Sequence, residues 1–269
     1  MFTIDKRKRN DGGVSESIGF LLIFTMVIAG IGLVTLYGYP LLLQQQVSTD
    51  EKSMEQNMIV LQNDMKSLAY KTVPYQETSL KVGSGSLTVY NSSSDVSQLA
   101  IYANGNPLIS VKPGDLRYVS TDAQTGISLQ NGAVVSRNLL QNGSVMLAEP
   151  RWFYDSVTNT WVINIISVNS TDVLARAGIG TVQMKLGETY YSETTVPNGN
   201  TISLEYTIDP NQDYSVAWTN YFDSTLANPA LTNPWVRTAS VSPITYVLNA
   251  GANPVTLVIK KYDVVITSV

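Results

Sequence analysis

A long N-terminal α-helix, membrane-spanning in its first half and amphipathic in its second, followed by an all-β ectodomain built as a β-sandwich, is the fold class the sequence predicts. Three observations predict it. Residues 18–36 run without a charge behind the basic cluster Lys6, Arg7, Lys8 and Arg9. Apolar residues then recur at helical spacing as far as Leu68. From Val73-Pro74 onward the pattern changes to short alternating runs separated by Gly, Asn, Asp, Ser and Pro.

The chain has 269 residues, 44% hydrophobic and 14% charged, which is enough apolar material for a folded core and unlike a disordered tail. It contains no Cys and no His. A disulfide scaffold, thiolate metal sites, cysteine nucleophiles and histidine bases are therefore excluded. The net charge of -4 is unevenly spread, because four of the 17 basic residues fall within the first nine positions.

At a helical rise of about 1.5 Å per residue, residues 18–36 cover roughly 28 Å, close to the hydrocarbon thickness of a bilayer. Basic residues on the amino side of such a run favour the cytoplasm, which predicts a single-pass protein with a short cytoplasmic N-terminus and an extracellular C-terminal domain. Tyr37 and Tyr39 follow the run, at the level of an outer aromatic belt.

Beyond the membrane, Pro40 predicts a kink or a short melted turn around residues 38–40. Val47, Met54, Met58, Leu61, Met65 and Leu68 then form an apolar stripe, with Asp50, Glu51, Lys52, Glu55, Asp64 and Lys66 outside it. Residues 14–71 would make a rod of roughly 87 Å. The stripe covers barely three heptads, thin for a coiled coil, so docking on the chain's own β domain is the favoured reading over self-association.

Strands are predicted at 86–90, 99–102, 133–137, 160–168, 180–186, 201–208, 214–218, 245–248, 255–260 and 262–267. They are punctuated by Asn104-Gly105-Asn106-Pro107, Lys112-Pro113-Gly114-Asp115 and Pro197-Asn198-Gly199-Asn200. This spacing reads as a β-sandwich. Glu149-Pro150-Arg151-Trp152 interrupts the pattern and marks a sub-boundary near residue 150, although one extended domain is preferred. The predicted organisation is a signal segment at 1–13, a transmembrane helix at 14–39, an amphipathic helix at 40–72 and a β-rich ectodomain at 73–269.

Chemistry-bearing motifs are sparse. Asn91-Ser92-Ser93, Asn142-Gly143-Ser144 and Asn169-Ser170-Thr171 are N-glycosylation sequons, expected on surface loops. Asp209-Pro210-Asn211-Gln212-Asp213 opens like a calcium loop, but Tyr214 stands where Gly is needed and Asn220 where Glu is needed, so a Pro-Asn turn is the better reading. There is no G-x-S-x-G, phosphate loop or dinucleotide fingerprint, and the 19 Asp and Glu after residue 13 single out no catalytic pair. The sequence thus predicts no enzyme, no cofactor and no metal site. Removing residues 1–13 takes away four bases and two acids and moves the charge from -4 to -6, which disfavours nucleic acid. Tyr190-Tyr191 and Trp235 are aromatic candidates for sugar contact, set against the commoner fate of core packing.

The order basic cluster, Gly12-Gly13, Val14-Ser15-Glu16, then a long apolar helix resembles the class III signal of archaeal type IV pilins and pilin-like proteins. The resemblance implies cleavage between Gly13 and Val14 by a prepilin peptidase that leaves the helix on the mature protein. It also implies that Glu16 offsets the new amino-terminal charge in a filament core, where an unpaired charge is costly. A carboxylate there equally suits the positive end of the helix dipole. Implied partners are membrane lipid, the peptidase, an assembly ATPase, a platform membrane protein and other pilin-like subunits. Gly38-Tyr39-Pro40, the Met-rich helix, Thr72-Val73-Pro74-Tyr75 and Ser79-Leu80-Lys81-Val82 further resemble an uncharacterised family of archaeal membrane-anchored proteins with a pilin-like start. That likeness reaches about residue 90 and implies envelope location and architecture.

Two functional expectations follow. The first is a pilin-like subunit that enters a type IV pilus-like filament and displays its β domain for surface contact and adhesion. The second is a single-pass surface binding protein held by an uncleaved signal anchor.

Overall fold

The computed structural model describes residues 12–71, 73–141, 143–231 and 233–269. The basic cluster lies outside the described residues. The chain forms two compact units, Met1–Ser48 and Thr49–Val269.

The helical segment is wound as α1 (Gly12–Leu33), a π-helical turn (Val34–Gly38) and α2 (Tyr39–Tyr70). The expected melted turn is replaced by a wide one. Pro40 has no N–H to offer the carbonyl one turn back, and a π turn absorbs the mismatch. The Tyr39 N–H donates to Val34 O, five residues back, and the helix continues. In the first unit the large apolar side chains are exposed, Met26 at 72% and Leu36 at 71%.

In the second unit the α2 stripe behaves as its period predicts: Met54, Met58, Leu61 and Met65 are fully buried and Leu68 nearly so, while Val47 is half-buried. The strands are β1 (Tyr75–Tyr90), β2 (Gln98–Ala103), β3 (Asn106–Val111), β4 (Asp115–Ser120), β5 (Thr125–Gln130), β6 (Ala133–Asn138) and β7 (Ser144–Ala148). They continue with β8 (Phe153–Asp155), β9 (Thr160–Ser170), β10 (Ala175–Val196), β11 (Thr201–Thr207), β12 (Val236–Ala239), β13 (Ile244–Asn249) and β14 (Val255–Ser268), with α3 (Ser215–Thr225) between β11 and β12. One sheet has nine strands in the order β7-β6-β5-β4-β1-β10-β14-β9-β8, and the other has five in the order β12-β13-β11-β2-β3. Pairing is antiparallel apart from the parallel β9–β14 ladder.

Strand alternation gives the nine-stranded sheet two apolar faces. On one face Val82, Leu116, Ile127, Ile166, Val182 and Val264 meet the α2 stripe. On the other, Val135, Trp161, Ile163, Leu257 and Ile259 meet the five-stranded sheet and α3, through Ile101, Leu204, Trp218, Phe222 and Tyr246. The second contact is sandwich-like, as the alternating runs predict.

Several sequence expectations are corrected. Residues 214–218 begin α3 instead of a strand, because Tyr214, Ala217, Trp218, Tyr221 and Phe222 are buried at spacings of three, one, three and one, a helical period that five residues do not reveal. The expected strands 255–260 and 262–267 are one, β14, and 180–186 is the middle of the much longer β10. Glu149-Pro150-Arg151-Trp152 links β7 to β8 within one sheet and one compact unit. Trp152 there is buried, its Nε1 donating to Asn164 O at 2.7 Å.

β10 carries a bulge. Its pairing with β14 runs Leu186↔Val264 and then Thr189↔Tyr262, so β10 has one residue more than its partner. Such an insertion reverses the facing of every later side chain. Met184 accordingly joins the helix-side core, whereas Val196, also even-numbered, joins the core between the sheets.

Candidate functional site

The residues expected to be processed lie at the start of α1. Gly13 and Val14 are helical in backbone, and their side chains lie outside the described residues. Glu16 is exposed. Among the described residues, one helix, Glu16–Tyr70, is long and apolar enough to cross a membrane.

The sequons are not three equivalent loops. Asn142 lies outside the described residues. Asn91 follows the end of β1, but Asn169 is a strand residue near the end of β9, and the fold brings the two together as a reciprocal clasp. Asn91 Oδ1 accepts from Ser170 N at 2.6 Å and from Ser170 Oγ at 3.0 Å. Asn169 Oδ1 accepts from Ser92 N at 3.2 Å and from Ser92 Oγ at 2.6 Å. Each sequon's middle serine thus holds the other sequon's asparagine. No local pattern signals this, because the partners are nearly eighty residues apart.

The same corner is braced by the start of β4. Val168 N donates to Pro113 O at 2.7 Å and Ser92 N to Val168 O at 3.1 Å. Gly114 has φ +60°, and a Cβ added there would come within 2.6 Å of Ser92 N and 2.8 Å of Tyr90 O, so only glycine fits. Asp95 accepts from Gly114 N and Ser97 N, both at 2.9 Å. Burial pushes its carboxyl above the usual range, and the two N–H donors pull it partly back. Buried Asp115 takes a bidentate fork from Arg117 at 2.8 and 3.0 Å and a 2.6 Å bond from Ser128 Oγ. The Arg117 guanidinium lies 4.2 Å from the centre of the Tyr90 ring. Each of the two buried charges thus meets its partner at the start of β4.

Beside the corner is a cleft of about 690 Å³ between β3, an edge of the five-stranded sheet, and the bulged part of β10 with β14. Its wall carries Lys112, Glu188, Tyr190, Lys261, Asp263 and Ser167. Lys261 Nζ lies 2.8 Å from Asp263 Oδ1. Of the aromatic candidates for sugar contact, Trp235 is core, with its ring edge-on to Trp161 at 5.9 Å. Tyr190 is 47% exposed at the cleft. Tyr191, paired with Lys260, projects from the opposite face.

Residues 209–213 form a turn in which Asp209 Oδ1 accepts from Asn211 N at 2.9 Å and Asp213 Oδ1 from Ser215 N at 2.8 Å, the second bond satisfying a donor at the start of α3.

The polar residues flanking the α2 stripe also have work that helical periodicity does not reveal. Gln62 Nε2 donates to Gly132 O at 2.7 Å and Glu149 O at 3.0 Å, and Lys66 Nζ to Glu149 O at 2.9 Å. Glu51 accepts from Thr125 Oγ1 and Asp64 from Thr78 Oγ1.

Among the described residues, one helix with a membrane-length apolar stretch, joined to a two-sheet β domain with a further helix of its own, defines the class of protein. Within that class the chain belongs to a family of unknown function, DUF7289, whose pattern matches residues 12–264. No curated protein and no solved structure matches the chain.

Proposed function

We propose that the protein is a pilin-like structural and surface-display subunit. The observation that carries this reading is the contrast along one helical segment. Residues 18–36 expose apolar side chains around the helix, and the stretch from Met54 onward docks by one stripe onto a folded β domain. The first needs lipid or neighbouring helices around it, and the second is covered by the β domain itself. In this reading the N-terminus is cytoplasmic, and the prepilin peptidase cuts between Gly13 and Val14. Helices then pass from bilayer to filament core, burying the apolar surface that lipid covered before. Glu16 offsets the charge of the new amino terminus, its own or a neighbour's. Asn91, Asn142 and Asn169 are the acceptor positions for N-glycans, and the chain acts by contact and adhesion, not catalysis.

Mass spectrometry of the protein from its native membrane tests the reading. Val14 as the mature first residue, lost when the peptidase is deleted, together with the chain in sheared extracellular filaments, is the expected result. Glu16→Ala then lowers filament yield severalfold without changing membrane insertion. An intact Met1–Gly13 segment on protein found only in detergent-extracted membranes would replace the filament subunit by an anchored surface binding protein.

A further inference from the structure

We propose that the cleft between β3, β10 and β14 is a binding site for a neutral saccharide. The β10 bulge builds it. Between Leu186↔Val264 and Thr189↔Tyr262 the ladder leaves Asp263 opposite the extra residues, so Glu188 and Tyr190 come to line the cleft with Lys261 and Asp263. Bulges commonly re-aim side chains in this way next to functional sites. At about 690 Å³ the cleft lies within the size range of small-molecule sites.

The lining selects the ligand. Of its two lysines and two carboxylates, Lys261 and Asp263 already pair with each other at 2.8 Å, and Lys112 and Glu188 add one charge of each sign, so the charges balance and favour neither an anion nor a cation. Lysines offer only donors and carboxylates only acceptors, and a group that is both donor and acceptor, the hydroxyl, can answer both. Tyr190, half-exposed beside them, supplies the aromatic face against which the C–H side of a sugar ring packs.

Ser167 is the independent observation. It is 1% exposed and lines the cleft, and its Oγ has no hydrogen-bond partner among the described residues. It stands directly opposite Asp263 in the parallel β9–β14 ladder. A buried hydroxyl left unpaired is costly, and a ligand hydroxyl at this position would satisfy it. The inference does not depend on filament assembly, since a monomeric anchored protein would bind the same sugar.

The test uses the full chain in detergent micelles, titrated with glucose, galactose, mannose, N-acetylglucosamine, lactose and cellobiose by saturation-transfer NMR and calorimetry. At least one sugar should bind, weakened about tenfold by Glu188→Gln and by Tyr190→Ala and left unchanged by Tyr191→Ala. Both sensitive positions are exposed, so the variants should melt like the parent. Failure of every sugar in the panel overturns the proposal, as does binding that ignores Glu188 and Tyr190. A strand-forming poly-threonine peptide bound along β3 in place of any sugar would overturn it too.

Discussion

Residues 18–36 and 54–69 are both helix and both rich in Leu, Ile and Met, yet they are covered in opposite ways. Met26 is 72% exposed and Met65 is fully buried. The difference lies in the arc that each must cover. The outer stretch confines its large buried apolar residues to one face, and one face of a sheet can bury that. The inner stretch is apolar around its circumference, and such a helix is covered on all sides only by lipid or by neighbouring helices. Hydrophobicity of a helix therefore says little about its fate until its distribution around the axis is known.

The sharpest way to break this contrast is to place the same charge in each half. Leu61→Asp buries a carboxylate among Met58, Met65 and the sheet, and should cost about 4 kcal/mol or more, enough to unfold much of a domain of ordinary stability. Val27→Asp should leave the melting of Thr49–Val269 unchanged and reduce the membrane-inserted fraction, at about 3 kcal/mol for an Asp near a helix centre. Circular dichroism melts and carbonate extraction read the two effects separately. Equal loss of melting temperature in both variants would mean that the halves are not differently supported.

Glycines repeat the comparison at smaller scale. Gly114→Ala forces a side chain into a left-handed position already crowded by Ser92 and Tyr90, and should cost about 2–4 kcal/mol in denaturant midpoint analysis. Gly30→Ala meets nothing within 4 Å and removes a weak helix former, so it should be neutral or strengthen α1 by up to about 1 kcal/mol.

High pH should also act on one region only. Burial raises the hydroxyls of Tyr206, Tyr214 and Tyr221 well above the ordinary tyrosine value. The folded domain then holds protons that the unfolded chain releases. The stability they lend is whole below about pH 10 and falls above it, by up to about 1.4 kcal/mol per pH unit for each such tyrosine. Titration followed at the tyrosinate absorbance should show these groups ionising only as β structure is lost, while α1 stays helical in detergent. Their ionisation with β structure intact would contradict the burial.

Much of the framework was legible because it is local. The charge-free run and the Met stripe are periodic in sequence, and most of the predicted strands coincide with observed ones. What escaped depends on partners far apart in the chain. The period of α3 needs residues as far as Phe222, beyond the window that suggested a strand at 214–218. Gln62 carries no local signal, yet it reaches two carbonyls of the β domain. The cleft was least legible of all. It needs the β10 bulge, the parallel register of Ser167 with Asp263 and the edge position of β3, and of its residues only Tyr190 carried a hint in sequence.

The smallest expected effect separates sequon chemistry from structure. In the inner helix, hydroxyls bond back to their own backbone, Thr25 Oγ1 to Leu21 O at 2.7 Å and Thr35 Oγ1 to Ile31 O at 2.9 Å, as isolated hydroxyls in an apolar setting must. In the β domain, Ser92 and Ser170 instead reach across the fold to Asn169 and Asn91. Both serines occupy the middle position of a sequon, where any residue except Pro preserves the acceptor motif. Either serine can be replaced by alanine with the sequons intact; Ser92→Ala removes one clasp bond, for about 1 kcal/mol, whereas Ser170→Ala also removes the 2.6 Å bond from Ser170 Oγ to Asp172 O. Thr171→Ala destroys the Asn169 sequon but touches only an exposed 3.2 Å contact to Asp172, and should leave stability within about 0.5 kcal/mol. Denaturation midpoints of the unglycosylated protein decide the matter. If Thr171→Ala costs as much as Ser92→Ala, the clasp is not what joins the ends of β1 and β9.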